Sequence, residues 1–160
     1  MFYIVIGQSG AGKTTFVKEK LLKEPYTVTE DVTAITTDAH GRIALGKYGI
    51  GKRTEGTDTL PYNAKERIKA QLTKLRGKTV ILEGDRINNQ DVFDHILRLG
   101  EEVKLYLVIC KLSTSMKRLR QAGSTITPSF VKATRTKSRN MFLRYSSKMN
   151  GEVINTDAEG

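Results

Sequence analysis

The stretch MFYIVIGQSGAGKTTFVKEKLL, residues 1–22, decides the fold. Phe2 to Ile6 is an apolar run of strand length that leads without a break into GQSGAGKTT, Gly7 to Thr15. Gly7, Gly12, Lys13 and Thr14 satisfy the spacing GxxxxGK[ST], in which successive backbone N–H groups surround a phosphate. From Lys13 onward, Phe16, Val17, Leu21 and Leu22 form an apolar stripe at helical spacing that stops before Pro25. Strand, glycine-rich loop and helix in that order are what a phosphate-binding loop requires. Lys13 is expected to reach the β and γ phosphates of ATP and Thr14 to place its hydroxyl on Mg²⁺. Gln8, Ser9, Gly10, Ala11 and Thr15 complete the expected nucleotide-binding loop.

Working outward, Val32–Thr37 and Arg42–Leu45 flank the turn-like DAHG and predict a small hairpin. Gly46, Gly49, Gly51 and Gly56 are interspersed with Lys47, Lys52 and Arg53. That composition suits a mobile, phosphate-attracting substrate loop over about residues 46–56, flexible until ligand binds. Asn63 is placed to cap a helix with Ile68, Leu72 and Leu75 on its apolar face, ended by Gly77. A strand over Thr79–Leu82 follows, then a helix marked by Val92, Phe93, Ile96 and Leu99, and a strand over Val103–Ile109. A helix from about Ser113 to Gln121 precedes a longer basic helix that starts at Thr127 and Pro128, a cap followed by proline in the first turn. In that helix Lys132, Arg135 and Arg139 share one face, while Phe130, Met141 and Tyr145 are expected to turn inward. Glu152–Asn155 reads as a last strand. Strands alternating with helices over the whole length predict an α/β fold of three layers, a mostly parallel sheet with helices on both faces.

The chain has 160 residues, enough for one domain spanning 1–160 with its own core. It has no apolar run near the roughly 18–20 residues of a membrane span. MFYIVIG has neither a basic leader nor a cleavage site, so a soluble cytoplasmic protein with no membrane partner is expected. Cys110, the only cysteine, ends the apolar run VKLYLVIC and reads as a buried thiol without a disulfide partner. His40 and His95 lack metal-site spacing.

Net charge is +10, and its distribution is uneven. From Val103 to Gly151 there is no acid, yet eleven of the 27 Lys and Arg fall there, so the rest of the chain holds 16 cations against all 17 acids. The basic region, about residues 111–148, predicts a lid and a surface for a polyanion such as nucleic acid.

A kinase needs metal-side acids at a strand end, and VILEGD offers Glu83 and Asp85. It also needs a carboxylate that orients an acceptor hydroxyl and takes its proton. Asp58 in GTDTL, beside Pro61, is the first choice; Asp85, Glu83 and Asp38 in DAHG remain alternatives. Late arginines can stabilise the transferring phosphate, which makes Arg118, Arg120, Arg135 and Arg139 candidates, Arg135 as a catalytic group and Arg118 and Arg139 on the nucleotide. Lys47, Tyr48, Lys52, Arg53, Arg86, Lys132 and Lys137 form the expected acceptor and DNA-binding set, with Tyr48 or Tyr62 available to stack on a base.

GQSGAGKTT, LGKY at Leu45–Tyr48, GTDTL at Gly56–Leu60, LEGDR at Leu82–Arg86 and TKSRN at Thr136–Asn140 together resemble the small phage-type P-loop kinases that phosphorylate 5-hydroxymethyluracil in DNA. The wider resemblance is to nucleoside, nucleotide and polynucleotide kinases. It implies ATP as donor, Mg²⁺, a DNA base hydroxymethyl group as acceptor, and the host cytoplasm for a phage protein. One departure is that polynucleotide kinases carry the acidic base soon after the second strand, where this chain has Asp38. The same donor residues would serve a kinase of a free nucleoside or nucleotide. A nucleic-acid-binding ATPase or nucleotide switch is the reading from another class.

Overall fold

The computed structural model describes residues 1–51 and 54–157. Lys52 and Arg53, expected on the substrate loop, lie outside the described residues. The strands are β1 (Phe2–Gly7), β2 (Thr27–Glu30), β3 (Ala34–Thr37), β4 (Ile43–Leu45), β5 (Val80–Glu83), β6 (Val103–Ile109) and β7 (Glu152–Asn155). The helices are α1 (Lys13–Phe16), α2 (Lys65–Lys74), α3 (Gln90–Arg98), α4 (Leu112–Gln121) and α5 (Pro128–Tyr145). α1 continues as a π-helical turn over Val17–Leu21.

The strands form one sheet in the order β2-β3-β4-β5-β1-β6-β7. β4, β5, β1, β6 and β7 are parallel, and the expected hairpin appears as β3 and β4 paired antiparallel, with β2 added outside it. β1 alternates across the sheet: Phe2, Ile4 and Ile6 enter one core with α2 and α3, and Val5 enters the other with the α1 segment. Both faces of the sheet are therefore covered, as parallel strands demand. The chain leaves β1 toward β5 on one side and returns to β6 on the other, so the crevice at the carboxyl ends of these strands is the topological switch point.

Three local expectations differ from the structure. α2 is preceded by Ala64, not Asn63, because a turn from Pro61 (Ala64 N–H to Pro61 O, 3.1 Å) buries Ala64 and leaves Asn63 exposed. A missing side-chain cap costs about 1 kcal/mol. Burial of Ile68 and Leu72 contributes about 1.5–3 kcal/mol each, so the helix forms regardless. In α5 the Thr127 cap holds, its Oγ1 accepting from Phe130 N–H, but Phe130 itself is half exposed. The fully buried positions are Val131, Ser138 and Tyr145, one residue out of step with Phe130, while Met141 is partly buried against the core. The third is β2, an exposed edge strand of polar sequence that has no alternating apolar signal.

The loop after β4 leaves through a neck in which Gly46 and Gly56 lie back to back. A Cβ on Gly46 would fall 1.9 Å from Gly56 O, and Gly46 has φ +84°, so only glycine fits. Gly56, φ +76°, faces the Glu83 carboxylate and the Tyr48 hydroxyl, each 2.9 Å from where its Cβ would be.

Candidate active site

Gly12 takes a left-handed conformation and turns the loop into α1. Ser9, Gly10 and Gly12–Thr15 thereby line a cleft of about 750 Å³, together with Asp58, Glu83 and Arg118. Ala11 is buried behind them, and Gln8 turns away. Gln8 Nε2 donates to Cys110 O (3.0 Å) and Ser115 Oγ (2.8 Å), so any part of Gln8 in nucleotide binding falls to its backbone. Cys110 is the buried free thiol that the apolar run predicted.

Lys13 Nζ donates to Gly7 O and Gln8 O, both at 3.0 Å, which holds the ammonium over the loop. Burial pushes its pKa down, and the charges of Glu83, Asp58 and Asp85 pull it back up. Opposite it, β5 runs one residue further than expected and carries Glu83 to the strand end, paired in register with Val5. Glu83 Oε1 accepts from Thr14 Oγ1 (2.7 Å) and from Tyr48 OH (2.8 Å). Desolvation raises the Glu83 carboxyl to about 7, against the opposing pull of Thr14, Lys13 and Tyr48. Asp85, the other metal-side candidate, points outward and pairs with Lys137 at 3.0 Å.

Asp58 sits in a single 3₁₀ turn, Thr57–Thr59, fixed to the end of β5 because Thr57 Oγ1 donates to Glu83 O at 2.6 Å. Its Oδ1 accepts from Asp85 N–H (2.9 Å) and, more weakly, Arg86 N–H (3.4 Å). The carboxylate faces the cleft from that anchored turn. Asp38 does not line the cleft. Its two oxygens accept from the backbones of Lys23, His40 and Arg42 and from Arg42 Nε, which makes it the staple of the β3–β4 turn.

Arg118 donates to Gly10 O, Ala11 O and Thr156, so its guanidinium braces the back of the phosphate loop and also borders the cleft. Arg120 instead closes the end of α4 on Ser124 O and Ile126 O. Arg135 is half-buried and Lys132 and Arg139 are exposed on α5, outside the cleft lining. α5 nevertheless crosses the mouth of the site: Ser9 N–H donates to Thr134 Oγ1 (3.1 Å) and Lys137 holds Asp85.

Tyr48 is corrected outright. It is 1% exposed and gives its hydroxyl to Glu83, so it has no ring face for a base. Lys47 lies at the neck, its N–H on Thr59 Oγ1 and its ammonium 3.8 Å from Glu30. Arg86 donates Nε–H to Leu60 O and stacks on Tyr62. Thr134 and Thr156 were missed because isolated threonines give no sequence signal. The Lys18–Glu55 pair at 2.9 Å, which ties the loop after β4 to the α1 segment, was missed because its partners are 37 residues apart.

Thr14 and Glu83 supply oxygen donors only, and no cluster of three or more His, Cys, Asp or Glu suited to a metal exists among the described residues. The oxygen donors of Thr14 and Glu83 fit Mg²⁺, which one or two carboxylates and substrate phosphates hold. No helix among the described residues is long and apolar enough to cross a membrane.

The model of the family P-loop Nucleotide Kinase3 matches residues 1–157. The chain belongs to that family. It is a phosphotransferase of the P-loop nucleoside and nucleotide kinase kind. Among solved structures, this P-loop kinase is similar to deoxyadenosine kinase from M. mycoides with bound dATP, at TM-score 0.49 and 12% identity over 98% of this chain and 92% of that one. The same enzyme with bound dCTP gives 0.48 and 13% over 98% and 91%. No curated protein matches the chain.

Proposed function

We propose that this kinase transfers the γ-phosphate of ATP to the hydroxymethyl group of 5-hydroxymethyluracil within DNA. The observation that carries this reading is the course of α5. Lys132, Lys137 and Arg139 are exposed and Arg135 half-exposed on a helix that joins the phosphate loop at Ser9 and the outer wall of the site at Asp85. The basic helix α5, within a segment of eleven cations and no acid, thus borders the mouth of the cleft, where a polyanionic acceptor would lie.

The loop N–H groups and Lys13 grip the donor phosphates. Asp58 orients the acceptor hydroxyl and takes its proton as the acceptor oxygen bonds to the γ-phosphorus. The bond from that phosphorus to the β–γ bridging oxygen breaks, and ADP leaves. Thr14 and Glu83 hold the Mg²⁺, which neutralises phosphate charge when bound. Arg118, which borders the cleft, serves the nucleotide. Lys47, Lys52, Arg53, Arg86, Lys132 and Lys137 grip the DNA backbone.

The family's name favours a second reading with a free nucleoside or nucleotide as acceptor. It shares Lys13, Thr14, Glu83 and Asp58 and leaves the cations of α5 without a ligand. One panel separates the two. Labelled ATP is offered with hydroxymethyluracil DNA, ordinary DNA with 5′ hydroxyls, free nucleosides and nucleoside monophosphates. Label on the hydroxymethyluracil DNA supports the first reading, and label on the small acceptors alone ends it.

A further inference from the structure

Tyr62 is 89% exposed, the most exposed large apolar side chain among the described residues. A tyrosine so placed adds little to the fold, yet it is not loose. The Arg86 guanidinium lies 3.8 Å from its ring centroid, and Arg86 is itself held through Nε to Leu60 O at 3.2 Å. One face of the ring is therefore covered and fixed, and the other is open.

The pair also belongs to the same piece of structure as Asp58. The Arg86 backbone N–H donates to Asp58 Oδ1. Tyr62 follows Asp58 by four residues, at most about 14 Å of chain. A group bound on the open face thus lies within a few nucleotide lengths of an acceptor at Asp58.

We propose that the open face of Tyr62, backed by Arg86, is a stacking site for a nucleobase next to the acceptor in single-stranded or locally unpaired DNA. This rests on the DNA-acceptor reading above. Aromatic rings and arginine planes accept bases of any sequence, because every base has a π-face. A base inside an intact duplex is stacked on both sides at about 3.4 Å and has no face to offer. The platform therefore selects an unstacked neighbour of the acceptor, as enzymes that act on bases require. A free nucleoside seated at Asp58 has no second base to place there.

The test is a short single-stranded oligonucleotide in which 2-aminopurine, a base whose fluorescence is quenched by stacking, flanks 5-hydroxymethyluracil. It is titrated against enzyme loaded with a non-hydrolysable ATP analogue. Wild type and Tyr62→Phe should quench alike. Tyr62→Ala should lose the quench and bind about 5- to 100-fold more weakly, with an unchanged thermal midpoint because the side chain is exposed. Equal quenching and affinity in Tyr62→Ala and wild type overturn the platform. Tyr62-dependent quenching with phosphate transfer to free nucleosides only sinks the DNA-acceptor reading and leaves the platform standing. Transfer to DNA that is indifferent to Tyr62 sinks the platform alone, and no oligonucleotide binding at all overturns both.

Discussion

Glu83→Gln should make the ligand-free protein more stable while destroying its activity. In the native state Glu83 is 2% exposed, and burial lifts its carboxyl from 4.5 to about 7. A folded-state pKa above the unfolded one means that the native state binds the extra proton between these values. Stability is then full below about 4.5, falls as pH rises through about 7, and is level above. The whole difference is worth about 3 kcal/mol. Glutamine keeps an oxygen for Thr14 Oγ1 and Tyr48 OH without the charge. Denaturant unfolding without nucleotide or divalent cation should therefore show Glu83→Gln more stable than wild type by about 1–3 kcal/mol at pH 8. The two should converge as pH falls below about 4.5. A variant less stable than wild type at pH 8, or one with the same slope between pH 5 and 7, would refute the placement of an uncompensated carboxylate beside Thr14.

Asp58→Asn should lower kcat by about 100- to 10,000-fold while nucleotide affinity is kept, since the oxygen that accepts from Asp85 N–H remains; undiminished kcat in a steady-state assay removes Asp58 from the chemistry. Gly46→Ala must push a methyl group into Gly56 O and should cost more than about 3 kcal/mol, read as loss of soluble protein or a collapsed denaturation midpoint. If it folds as wild type, the neck is not closed. Lys132→Ala and Lys137→Ala combined should flatten the dependence of DNA affinity on log salt by about 1–2 units of slope. An unchanged slope puts the DNA elsewhere.

Elements with a signal inside their own sequence were legible. β1 and the phosphate loop, the Thr127–Pro128 start of α5, β6 and β7 stand where composition and spacing placed them. The phosphate-loop side of the cleft was legible for the same reason, because one contiguous motif builds it. Across the cleft, legibility ended where contacts join distant segments. VILEGD left Glu83 and Asp85 open, and only the register of β5 on β1 turns Glu83 toward Thr14 and Asp85 toward Lys137. Tyr48 and Tyr62 were equivalent as sequence, yet the Gly46–Gly56 neck folds Tyr48 under the loop and the turn before α2 leaves Tyr62 outside. Asn63 failed as a cap because packing of Ala64 decided where α2 begins. Thr134 and Thr156 act on the phosphate loop from positions 125 and 145 residues away from their partners, a distance at which no local pattern speaks.

The most direct measurement follows the phosphorus. Wild type and Lys13→Ala are incubated with γ-labelled ATP and two DNAs of one sequence, with thymine or 5-hydroxymethyluracil at a single internal position, and the DNA is digested by nucleases to mononucleotides without phosphatase. Label is expected on the modified base, none from the thymine DNA, and none with Lys13→Ala. Label at 5′ ends in both DNAs, or label retained with Lys13→Ala, would contradict it.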